Sequence, residues 1–110
     1  MEYITVLQNL AFGEKVSGEK PIQARELFNG ARRRIMEVEI NENAVLTKHK
    51  AVEPITVLCL AGNGKFLSGP ALEESVELTP GVFITLEADV PHEVSAEPYL
   101  RVLVTKYKPE

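Results

Sequence analysis

The sequence predicts a single all-β domain, a sandwich or barrel of antiparallel strands. Three observations carry this. Turn-forming residues recur about every ten positions, the spacing of short strands joined by tight connections. The stretches between them either alternate apolar and polar residues or are apolar on both faces over runs too short for a buried helix. The one segment with helical character, 22 to 35, is interrupted by Asn29-Gly30, both poor in a helix interior.

Taken in order, residues 1 to 30 read as N-terminal strands or an arm, with turns at Asn9, Gly13 and Gly18 to Pro21. Ala24, Glu26, Leu27 and Ala31 favour a helix individually, but the Asn-Gly break makes strand-turn-strand the expectation there. Arg34 to Ile40 alternates, with Met36, Val38 and Ile40 on one face and Ile35, Glu37 and Glu39 on the other, so it is a half-buried strand. Ile55 to Leu60 is apolar throughout and reads as a central strand covered on both sides. Gly62-Asn63-Gly64 then predicts a hairpin turn into Lys65-Phe66-Leu67. Further strands follow at Val76 to Leu78, Val82 to Leu86, Glu93 to Ser95 and Leu100 to Thr105, with a turn at Glu97-Pro98 between the last two.

Composition narrows the function. The chain has 110 residues, enough for one core. Sixteen acidic against twelve basic residues give a net charge of −4, which argues against a nucleic-acid partner. The basic run Arg32-Arg33-Arg34 is followed by Glu37 and Glu39 and reads as a solvated strand start. The single Cys59 excludes an internal disulfide and sits in an apolar run, where a thiol is inert. No apolar stretch approaches the ~18 residues of a membrane helix, and Met1-Glu2-Tyr3 opens no signal-like segment. The expected location is cytoplasmic. There is no phosphate-binding glycine loop and no nucleophilic-serine context.

The stretch from Asn43 to Ala96 resembles the cupin superfamily, whose two motifs each span a strand pair. The second motif fits without a gap: Gly81 takes its opening Gly slot and His92 its His slot, while Glu87, Asp89 and Ala96 stand in its Pro, Gly and Asn slots. The local wording Thr79-Pro80-Gly81 and Val90-Pro91-His92-Glu93-Val94 is similar to that family's. In the first motif Asn43 fills the opening Gly slot, His49 the first His slot and Gly62 the last Gly slot. Ala51 and Ile55 replace its second His and its Glu. The resemblance implies a cupin-type β-barrel, or jelly roll, over residues 1–110. It is that of a small cupin with a degenerate metal motif, and it points to a homodimer.

The two histidines are the only ones in the chain, and both fall in ligand slots of that family. If one strand runs through His49, Glu53 and Ile55, equal parity turns His49 and Glu53 to the same side. In a closed barrel His92 would lie across from them. Two imidazoles and a carboxylate would suit one divalent ion of iron, manganese, nickel or zinc. Without metal, His49, Glu53 and His92 would line a pocket for a small polar or anionic ligand. His92 is then the candidate general base, and Glu87 a ligand contact at the mouth. Two functions follow: a ligand-binding cupin with little or no metal, or a metal-dependent enzyme such as a small dioxygenase or isomerase. A purely structural or partner-binding module is the third. The outer face of Ile55 to Leu60, carrying Thr56, Leu58 and Leu60, needs cover from the N-terminal segment or a second subunit.

Overall fold

The computed structural model describes residues 3–8, 10 and 20–109. Its described residues form seven antiparallel strands and no helix: β1 (Ile22–Asn29), β2 (Arg33–Ile40), β3 (Val45–His49), β4 (Ile55–Ser68), β5 (Glu74–Leu78), β6 (Phe83–Leu86) and β7 (His92–Tyr107). The all-β expectation holds, including strand-turn-strand in place of a helix over 22 to 35. The turns expected at Asn9, Gly13 and Gly18 lie outside the described residues.

Two long strands organise the molecule. β4 and β7 pair along almost their whole length, from Ile55↔Lys106 to Ser68↔His92. The free edge of β7 pairs first with β3 and then with β2, and the free edge of β4 pairs first with β6 and then with β5. β1 extends the sheet beyond β2. The pairings among the described residues do not close a ring, so the jelly roll is an open one.

Two strand boundaries differ from the sequence reading. Gly62-Asn63-Gly64 makes no hairpin; it lies inside β4, where the register against β7 shifts twice, between Cys59 and Ala61 and between Gly62 and Gly64. The reason is a bulge held close to β7. Gly62 has a φ of 82°, and a Cβ there would lie 2.0 Å from the Tyr99 carbonyl oxygen, so only glycine fits. Likewise Glu97-Pro98 does not end a strand, because β7 runs through it from His92 to Tyr107. Pro98 has no N–H to give, but its carbonyl accepts a bond from the Asn43 backbone N–H (2.9 Å).

The bulged middle of β4 and the matching part of β7 divide each strand into halves that face one another. Ile40, Cys59, Leu78 and Leu100 pack near this middle and are almost fully buried. The Cys59 thiol donates to the Ala61 carbonyl at 3.7 Å, and burial pushes its pKa up, as an inert thiol requires. On β2, Met36, Val38 and Ile40 turn inward as their alternation predicts. On the opposite face Arg101 donates to the Tyr99 hydroxyl (3.2 Å), and Tyr99 donates to Glu39 (2.6 Å). Nothing in the residue pattern around Tyr99 marked it as a member of an ion network.

Candidate functional site

Between the facing halves of the β4–β7 ribbon lies a cavity of about 250 Å³. Its position follows from strand parity. On the far half of β7, Val102, Val104 and Lys106 point inward in alternation; on the near half, Val94 and His92 do so. Each series runs outward from the buried middle, so Val102 and Val94 are deep while Lys106 and His92 stand at the open end. β4 supplies Ile55 and Val57 from one half and Phe66 from the other.

His49 ends β3 and is the direct cross-strand partner of His92. The rings meet edge to face, with centroids 4.3 Å apart. His92 is 4% exposed and stacks on Phe66 at 5.5 Å with the ring planes 8° apart. His49 is exposed at the rim. The two imidazoles therefore come together, as the sequence reading required, but side by side on paired strands and not across a closed barrel.

Both imidazoles are fixed in one tautomer. The ring Nδ1 of His92 lies 3.0 Å from the Val90 carbonyl oxygen, and that of His49 lies 2.8 Å from the Thr47 carbonyl oxygen. A carbonyl only accepts, so each Nδ1 carries its proton and each Nε2 keeps a lone pair when the ring is neutral. Burial lowers the pKa of His92 against the opposing effect of the Val90 bond, and the charges of His49 and Lys106 lower it further.

The chain does not run as one strand through Glu53. β3 stops at His49 and β4 starts at Ile55, so residues 50–54 form a strap over the open end. The strap is tied to both sides: the Ala51 carbonyl accepts from Asp89 N–H (2.8 Å) and the Pro54 carbonyl from Tyr107 N–H (3.0 Å). It brings Lys50 and Ala51 to the cavity, but Glu53, half-buried, is not among the lining residues. Glu87 is exposed in the loop before β7 and does not line the cavity either.

Among the described residues the polar lining thus consists of His49, Lys50, His92 and Lys106, and every other lining residue is apolar. Among the described residues no group of three or more His, Cys, Asp or Glu is placed to hold a metal ion. Two imidazoles beside two ammonium groups do not fit a catalytic metal centre, which takes three protein ligands in its usual zinc form. Lys106 is the residue that sequence reading missed. The signal was available in the alternation Val102, Val104, Lys106, but a lysine near a chain end reads as solvated.

No family model matches the sequence, and no curated protein matches it. Solved structures do match. A cupin superfamily protein from Desulfitobacterium hafniense superposes with a TM-score of 0.77 at 13% identity, over 96% of this chain and 100% of that one. A cupin 2 conserved barrel domain protein from Leptotrichia buccalis gives 0.75 at 21% identity, over 86% of this chain and 44% of that one. The polyketide cyclase RemF from Streptomyces resistomycificus gives 0.71 at 22%, over 80% and 66%. The chain has the cupin fold, and at these identities the likeness extends to fold alone.

Proposed function

We propose that this chain binds a small anionic molecule in the cavity, received by the ammonium groups of Lys50 and Lys106 beside His49 and His92. The observation that carries this reading is the chemistry of the polar lining: among the described residues, two imidazoles and two ammonium groups with no carboxylate. A cation there would be repelled by both lysines. An anion would be attracted, more strongly than in bulk water because the surrounding walls are apolar. His92, whose pKa burial lowers and whose Nε2 keeps a lone pair when the ring is neutral, would be the base for a proton carried by a bound ligand.

One observation favours a second reading, a metal-dependent enzyme. Each Nδ1–H is held by a backbone carbonyl, which is the tautomer of a metal-ligating imidazole. Elemental analysis and native mass spectrometry of protein purified without a metal-affinity tag distinguish the two. The expected result is substoichiometric metal, together with binding of small carboxylates that weakens about tenfold, the scale of one well-placed charge contact, in Lys106→Met. Stoichiometric divalent metal that is lost in His92→Ala would overturn the anion-binding reading.

A further inference from the structure

We infer that the occupant is a monocarboxylic acid with a compact apolar body, seated with its carboxylate at the open end against Lys50 and Lys106 and its body between the wall of Val57 and Val102 and the facing wall of Phe66 and Val94. This rests on the anion-binding reading and narrows it to a substrate class.

The argument starts from the distribution of polarity. All four polar lining residues sit at the open end: His49 at the rim, Lys50 on the strap, and His92 and Lys106 as the outermost inward-facing residues of β7. Below them the lining, among the described residues, holds only aliphatic side chains, the Met36 thioether and the Phe66 ring. A ligand hydroxyl placed at that depth would lose its bonds to water and find no side-chain partner, a cost of about 1–3 kcal/mol per group. That disfavours sugar acids and hydroxy diacids. A second carboxylate would have to lie either in the apolar floor or outside the cavity. A phosphate ester is matched poorly, because the lining has no arginine among the described residues to take phosphate in a bidentate contact.

Size gives the second constraint. A cavity of about 250 Å³ lies below the usual ~300–1,000 Å³ of small-molecule pockets, so the body is that of a single ring or a short branched chain. Phe66, 2% exposed and already stacked on His92, offers such a body a flat wall.

Isothermal titration of the full chain tests this with defined probes: butyrate, pentanoate, hexanoate, benzoate, gluconate, citrate, inorganic phosphate and the neutral benzamide. The expected result is affinity rising about fourfold per added methylene until the cavity is full, benzoate well above benzamide, and gluconate, citrate and phosphate at least about tenfold weaker than hexanoate. Lys50→Met, on the exposed strap, and Lys106→Met should each weaken hexanoate and benzoate while circular dichroism stays unchanged. Should Lys106→Met fold poorly, Lys50→Met carries the comparison. Gluconate, citrate or phosphate binding as tightly as hexanoate, still in a lysine-dependent way, overturns the apolar class and leaves anion binding standing. Benzamide equal to benzoate, or no binding by any anion, overturns both.

Discussion

At the scale of single residues, His92 links the site to stability. Its folded pKa lies below the ordinary value of 6.5, first because of burial. The native state therefore binds fewer protons than the unfolded chain once pH drops below that value. Native stability from this group is complete above about pH 6.5 and is lost as pH falls from there through the lower folded pKa. Urea unfolding at about pH 7.5 and about pH 5 should show a lower midpoint in acid, and His92→Gln should reduce the difference. An unchanged difference would assign the acid sensitivity to other groups. Single residues were also where the sequence was most legible. The motif slots expected to hold Gly are occupied by Asn43, Gly62, Gly81 and Asp89, and all four have positive φ, at 58°, 82°, 97° and 63°. Asn and Asp are the side chains that best tolerate this region, so the two departures from glycine preserve the backbone. The imidazole pair was legible for the same reason, since motif spacing reflects strand register. Glu53 was misplaced because parity carries only along an unbroken strand. Pro54, which cannot donate a ladder bond, lies in the gap between β3 and β4.

At the scale of elements, what escaped the sequence was continuity. Gly62-Asn63-Gly64 and Glu97-Pro98 carry the composition of turns, and composition does not distinguish a chain that reverses from one that bulges and continues. The difference is tertiary: the β4 glycines press against β7. A Cβ on Gly64 would come within 2.2 Å of the Ser95 carbonyl oxygen, and one on Gly62 within 2.0 Å of that of Tyr99. Gly62→Ala should therefore separate the two strands at the bulge and cost more than the roughly 1–2 kcal/mol of a left-handed alanine alone. Chemical denaturation measures this, with Gly81→Ala as control: Gly81 also has positive φ, but a Cβ added there would meet no atom within 4 Å. Equal losses at both positions would mean that close approach contributes nothing.

At the scale of the whole molecule, one outer surface lacks cover among the described residues. Leu58, Phe83 and Leu103 are cross-strand neighbours on β4, β6 and β7, facing away from the cavity, and Phe83 is 63% exposed. Leu60, expected to share this need, is already buried within the chain at 1% exposure. Tyr3, Ile4 and Val6 add further exposed apolar side chains. Such surface is costly to leave in water, and we expect two copies to cover it in a homodimer. Light scattering coupled to gel filtration should give twice the chain mass, falling toward one chain for Phe83→Asp; a monomer at all concentrations would rule this out. The shared ribbon has one more consequence. Because β4 and β7 each belong to both facing halves, neither half owns a complete set of hydrogen-bonded neighbours. The two halves therefore have no seam between them along which they could part in stages, and loss of one wall of the cavity should entail loss of the other in a single cooperative event.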